Sequence, residues 1–114
     1  VAQELSRRTI AFLEIRHESH ALPEEQAILT IARRHFQGAL MSNGSYTRES
    51  GESTVARGAA DAIVYGRPYI ANPDLVERFA KQAPLNEVNY DRLYGGGPDG
   101  YIDYPAMARA DSRQ

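Results

Sequence analysis

Short apolar runs alternate with amphipathic stretches along this chain. Thr9–Arg16, carrying Ile10, Phe12, Leu13 and Ile15, predicts a strand. Pro23-Glu24-Glu25 opens a helix, with proline in the first turn and acids against the dipole. Ala27, Ile28, Ile31 and Ala32 recur at helical spacing and predict its buried stripe, and Arg33, Arg34 and His35 suit its C-terminus. Ala39–Asn43 predicts a second strand. The helix after it takes Thr47 as N-cap, while Ser50, Gly51 and Gly58 weaken its propensity and leave packing to hold it. Ala62 to Gly66 begins with an apolar run too short for a helix and predicts the third strand. Asn72-Pro73-Asp74 then opens a further helix, with Asn72 as its N-cap and proline at its first position.

Strand starts fall roughly 25 residues apart with a helix between each pair, which argues a parallel sheet with crossover connections. Beyond Gln82 the pattern stops. Pro84, Pro98 and Pro105, glycines 95, 96, 97 and 100, and tyrosines 90, 94, 101 and 104 predict an irregular tail over 83–114. Four tyrosines so close together suit stacking on a planar ligand or closing a pocket rim. Residues 1–8 read as the last turns of an amphipathic helix. The chain opens Val1-Ala-Gln-Glu-Leu5, inside that helix, which points to a piece of something longer.

Composition narrows the partners. At 114 residues the chain has the size of one domain, with no second one expected. A net charge of −2 and scattered arginines argue against nucleic acid, and no apolar run reaches the roughly 20 residues of a membrane span. The absence of cysteine excludes disulfides and cysteine-ligated metals and fits a cytoplasmic location. His17, His20 and His35 form no metal-binding spacing and are read as loop and helix-end residues, so no metal is expected.

Two successive strands end in glycine turns, Asn43-Gly44-Ser45 and Tyr65-Gly66-Arg67. In a (β/α)8 barrel, loops at such strand ends commonly hold a phosphate on backbone N–H groups, and Arg67 would add a charge-assisted bond. Glu14 and Arg16, unusual in an apolar strand, either point into such a site or form an exposed pair.

Tyr65-Gly-Arg-Pro-Tyr-Ile-Ala-Asn-Pro-Asp-Leu-Val-Glu-Arg78 closely resembles the last-strand segment of the Old Yellow Enzyme family of FMN-dependent ene-reductases. Ala83-Pro-Leu-Asn86, Tyr94-Gly-Gly-Gly97 and Gly100-Tyr-Ile-Asp-Tyr-Pro105 follow in that family's order. The resemblance covers essentially the whole chain, but only the last three units of an eight-unit barrel. It implies an α/β fold with strands at about 9–16, 39–43 and 62–66, and an irregular tail. The chain, 1–114, is then the C-terminal part of a single FMN-binding barrel domain that another chain or segment completes.

The resemblance also implies a function. The whole enzyme would transfer hydride from NAD(P)H through FMN to activated alkenes such as enones. Gly44, Ser45, Gly66 and Arg67 would fix the FMN phosphate, although Ser45 departs from the glycine common there. Tyr101 would line the flavin and substrate pocket. The family's flavin-ring contacts, its substrate-binding His/Asn or His/His pair and its tyrosine proton donor have no counterpart here, so no catalytic residue is expected in this segment. The rival expectation is a non-catalytic fragment that self-associates through open sheet edges and at most binds a phosphate-containing ligand.

Overall fold

The structure, a computed structural model, describes residues 1–93, 97–100 and 103–108. It divides into two compact units, Val1–Tyr65 and Gly66–Gln114.

The first unit is built on a three-stranded parallel sheet of order β1-β2-β3, formed by β1 (Phe12–Arg16), β2 (Ala39–Asn43) and β3 (Ala62–Ile63). Three helices accompany it: α1 (Ala2–Arg7), α2 (Pro23–His35) and α3 (Arg48–Ala56). Phe12 pairs with Ala39 and the register runs level to Arg16 opposite Asn43; Met41 and Ser42 pair with Ala62 and Ile63. Side chains alternate between faces. Leu13, Ile15 and Leu40 pack with Leu29 and Ala32 of α2, and with Ala59, to form the core. Phe12, Glu14 and Arg16, together with Ala39, Met41 and Asn43, occupy the opposite face, where Phe12 remains 51% exposed. Asn43 Nδ2 donates to Glu14 Oε2 on that face at 3.4 Å.

Three sequence readings change in this unit. Strand β1 begins at Phe12 rather than Thr9. Thr9 sits at φ 51°, closing the turn after α1, and β2 offers no partner before Ala39. The third strand pairs over Ala62–Ile63, short of the 62–66 read from the sequence; one further bond runs from Val64 N–H to Ser42 O. The buried stripe of α2 is also displaced. Leu29, Ala32 and the following Phe36 are buried, whereas Ile28 and Ile31 are 51% and 56% exposed. One residue is about 100° of helical rotation, so a stripe through Leu29 turns Ile28 to the flank.

Polar contacts fasten both ends of the sheet. At its start a single oxygen of Asp61 accepts from Arg33 and from the Leu40 N–H, joining α2, β2 and the entry to β3. The Arg33 bond, then the Leu40 N–H, hold the Asp61 carboxyl below its usual range. Arg33 also donates to the Phe36 and Gly38 carbonyls, so it closes the turn into β2 besides facing the helix dipole. Thr47 caps α3 in a reciprocal pair with Ser50. Gly51 is buried in α3, where a Cβ would run into the Tyr65 hydroxyl, which donates to Thr47 O at 2.9 Å.

The second unit contains α4 (Arg67–Ala71), α5 (Leu75–Lys81) and a 3-10 turn at Tyr90–Arg92. Helix α4 begins directly after Gly66, a helix the sequence reading omits. Asn72 is not an N-cap: it follows α4 and is completely buried, while α5 starts at Leu75 behind Asp74. The Asn72 side chain donates to Pro68 O at 2.8 Å and to Asn86 O at 3.3 Å, and accepts from Asn86 N–H at 2.7 Å. Asn86 Nδ2 reaches the Ala71 and Pro105 carbonyls. Buried Arg78 pairs with Asp74 and donates to the Pro84 and Pro105 carbonyls, while Asp74 accepts from Met107 N–H. That N–H, then Arg78, keep the Asp74 carboxyl low. Buried polar side chains therefore hold the tail segment in this unit.

Asn72→Ala leaves the Asn86 N–H and two carbonyls without their partner in a buried site, which predicts a loss of about 2–3 kcal/mol in urea unfolding. Asn89→Ala, which removes one exposed bond to Asp91 N–H, is expected to lose less than about 1 kcal/mol.

Candidate functional site

The level pairing of Arg16 with Asn43 ends β1 and β2 together. The loop after β1, residues 17–22, and the turn after β2, residues 44–46, leave from the same edge and bind each other. His17 N–H donates to Asn43 O at 2.6 Å, and His20 N–H donates to Gly44 O at 2.9 Å. His20 Nδ1 lies 2.7 Å from the same Gly44 oxygen; a carbonyl only accepts, so Nδ1 carries the proton. Ser45 Oγ donates to Glu18 O at 3.2 Å. The His20 ring stacks on Tyr46 at 4.1 Å between centroids and 11° between planes, and the Tyr46 hydroxyl shares a 2.7 Å bond with Ser42.

This packing explains the glycine. A Cβ at Gly44 would stand 2.9 Å from His17 Cβ and 3.0 Å from His20 N, so the loop can approach only a glycine. The next residue, Ser45, takes the left-handed conformation at φ 59°. Among the described residues no acceptor meets the N–H of Gly44 or of Ser45. Two successive unpaired N–H groups at the C-terminal edge of a parallel sheet can hold an anion. Gly44 and Ser45 are thus brought together in one turn, and the two histidines of the preceding loop are what shape it. The sequence signal for that was the short polar loop itself, without metal-type spacing.

His17 is buried, and its Nε2 has no partner among the described residues. Burial lowers its pKa, opposed by Glu25 and reinforced by His20. Glu25 in turn accepts from the N–H groups of Glu18 and Ser19, tying the loop to the first turn of α2. Burial acts to raise the Glu25 carboxyl, but those two N–H donors and His17 bring it below its usual range. Among the described residues no group of His, Asp or Glu could hold a metal ion, and no helix is long and apolar enough to cross a membrane.

In the second unit, Gly66 stands immediately before α4. Its φ is −92°, and among the described residues an added Cβ would meet nothing within 4 Å, so neither a left-handed backbone nor packing against those residues accounts for the glycine. Arg67 is exposed, its guanidinium 5.4 Å from the centroid of the Tyr90 ring, and it forms no ion pair among the described residues. Its charge is therefore available. Tyr104 accepts from Asn89 N–H through its hydroxyl. Tyr94 and Tyr101, the latter the candidate pocket residue, lie outside the described residues.

Parallel β/α units whose strand-end loops gather on one edge are what a part of an α/β barrel presents. Residues 3–86 match the family described as NADH:flavin oxidoreductase / NADH oxidase. The chain is 46% identical over 76 residues to 12-oxophytodienoate reductase 2 of Arabidopsis thaliana, covering 66% of this chain and 20% of that protein. To a probable flavin mononucleotide-dependent alkene reductase of Leishmania infantum it is 39% identical over 107 residues, covering 94% and 29%. Among solved structures, morphinone reductase superposes with a TM-score of 0.88 at 37% identity, over 98% of this chain and 31% of that one. The chain belongs to the NADH:flavin oxidoreductase / NADH oxidase family, that of the Old Yellow Enzymes. Its fold is part of the TIM barrel of those structures, and it spans about a fifth to a third of its relatives' length.

The buried, low-pKa His17 makes the loop acid-sensitive. Its folded-state pKa lies below the unfolded value, so the stability it gives is full above about pH 6.5 and is lost as pH falls through the folded pKa. Glu25, Asp61 and Asp74 all shift downward, which places their own losses in the more acidic carboxylate range. Thermal unfolding between pH 8 and 5.5 is therefore expected to show a fall in Tm that His17→Gln abolishes. An identical fall in the variant would exclude His17 as its source.

Proposed function

We propose that this segment is the C-terminal part of an FMN-dependent ene-reductase. Its share is cofactor anchorage and one wall of the pocket. The observation that carries this reading is the pair of unpaired N–H groups on Gly44 and Ser45, in a chain of this family. Both donors suit phosphate oxygens. By the family's pattern Gly66 and Arg67 serve the same phosphate, Gly66 through its bare backbone and Arg67 through a charge-assisted bond. Tyr101, also by the family's pattern, lines the substrate pocket.

Bound FMN supplies hydride transfer from NAD(P)H to the β-carbon of an activated alkene, with a proton reaching the α-carbon. No residue of this segment is assigned to that step. The remaining strands of the barrel, on a second chain or another segment, would bring the catalytic groups and the flavin-ring contacts. Support comes from the uncovered sheet face of the first unit and from the short span of the chain against its relatives.

A second reading has its own observation. Phe12 on the uncovered sheet face, and Ile28 and Ile31 on α2, are each about half exposed, and with the open sheet edges they offer separate surfaces through which copies of the chain could associate without any redox chemistry. Native mass spectrometry separates the two readings: a complex with a larger polypeptide and FMN supports the reductase, a flavin-free self-oligomer the alternative. In the assembled protein, Arg67→Ala is expected to weaken FMN binding roughly 10- to 100-fold, through loss of a charge-assisted bond. A flavin fluorescence titration measures it, and unchanged affinity would refute the role of Arg67.

A further inference from the structure

The two N–H groups at the end of β2 are aimed by atoms outside the turn. A trans peptide is planar, and its C=O and N–H point in opposite directions. Among the described residues there is no cis peptide. The Asn43 carbonyl and the Gly44 N–H belong to one such plane; the Gly44 carbonyl and the Ser45 N–H belong to the next. His17 N–H takes the first carbonyl, and His20 takes the second twice, through its backbone N–H and its ring Nδ1–H. Each bond made on the loop side turns the corresponding N–H away from the loop.

Ser45 needs this help most. A non-glycine residue at φ 59° is held there against a cost of about 1–2 kcal/mol, and such conformations persist where surrounding contacts over-determine them. The stack of His20 on Tyr46 supplies the rigidity: the ring that donates to Gly44 O is braced by the residue that follows Ser45. Tyr46 is buried and fixed through Ser42.

Resting on the phosphate reading of the preceding subsection, we infer that His20 is a positioning residue for cofactor phosphate, aiming the Ser45 N–H through its ring bond to the Gly44 carbonyl. It touches neither phosphate nor flavin in this assignment. Its effect is therefore confined to ligands that carry the phosphate.

Comparison of FMN with riboflavin, which lacks the phosphate, tests this in the assembled protein. His20→Phe keeps a ring to stack on Tyr46 but removes the donor; His20→Asn restores a donor without the ring. Fluorescence titration of both flavins with each variant gives a preference ratio that any loss of folded protein scales equally. The expected result is a fall of about 5- to 10-fold in the preference for FMN in His20→Phe, riboflavin affinity unchanged, and recovery to within about 3-fold in His20→Asn. A His20→Phe protein that keeps the full preference overturns the inference, as does one that loses both flavins by the same factor, or an Asn variant that recovers nothing. If the unaltered protein binds FMN no more tightly than riboflavin, the phosphate site itself falls and the inference with it.

Discussion

Parallel pairing in a fixed register is the constraint from which the first unit follows. Parallel neighbours cannot be joined by a hairpin, so each connection must travel back over the sheet, here through α2 and α3. All strand ends then emerge on one edge. Because Arg16 lies opposite Asn43, the loop after β1 starts level with the turn after β2, and the histidine contacts become possible. A slip of one residue would send Leu40 and Ser42 to the uncovered face and carry the Asn43 carbonyl away from His17 N–H. The Asp61 carboxylate guards against that slip from the opposite end, where one oxygen holds both the start of β2 and the arginine of α2.

The second unit solves a different problem. Proline has no N–H to give, but its carbonyl still requires a donor when buried. Pro68, Pro84 and Pro105 all present carbonyls that side chains satisfy: Asn72 for the first, Arg78 for the second, Arg78 and Asn86 for the third. The motifs that mark the family in this stretch, Asn72-Pro-Asp74 with Arg78, Pro84-Leu-Asn86 and Tyr104-Pro105, are largely the two sides of these bonds. Their spacing reflects the folding of an irregular tail; among the described residues, Gly66 and Arg67 of the neighbouring family segment take no part in these bonds. Charge placement agrees with this division, since Arg78 is buried and paired whereas Arg67 is exposed.

How much of this could be read from the sequence depends on the range of the cause. Alternation of short apolar runs with helical stretches is local, and it identified the parallel sheet and the glycine turn at Gly44 and Ser45. The Thr47 cap, equally local, was legible too. The phase of α2 was not, because Ile28 and Ile31 are as apolar as Leu29 and only the sheet decides which of them it covers. Asn72 before Pro73 has every local mark of an N-cap; its true partner, Asn86, lies fourteen residues on. His17 and His20 looked like plain loop residues because their partners, Asn43, Gly44 and Tyr46, belong to the next strand and turn. The reason for Gly44 was likewise invisible: the loop presses on it from outside, and its own dihedral angles do not demand it.

The uncovered face of the sheet is graded along its length. All-parallel sheets are found with both faces covered, and here, among the described residues, one face is packed on helix while the other is not. Along that second face the character changes in register steps. Phe12 beside Ala39 is apolar, Glu14 beside Met41 and Ala62 is mixed, and Arg16 beside Asn43 is polar. Solvent alone would have no reason to grade a face in this direction, and a phenylalanine half exposed at its start would be a poor choice for one. A barrel interior does grade this way, with side chains filling its floor and polar groups gathered toward the mouth at the strand C-termini, where ligands bind. The Glu14 carboxylate and Asn43 amide already meet on this face at 3.4 Å, while Arg16 has no charged partner among the described residues. Enclosing that guanidinium without a counter-charge would be costly. Any strands that complete the barrel would have to bring both apolar bulk opposite Phe12 and a negative or strongly accepting group opposite Arg16, which would make the cover a specific one.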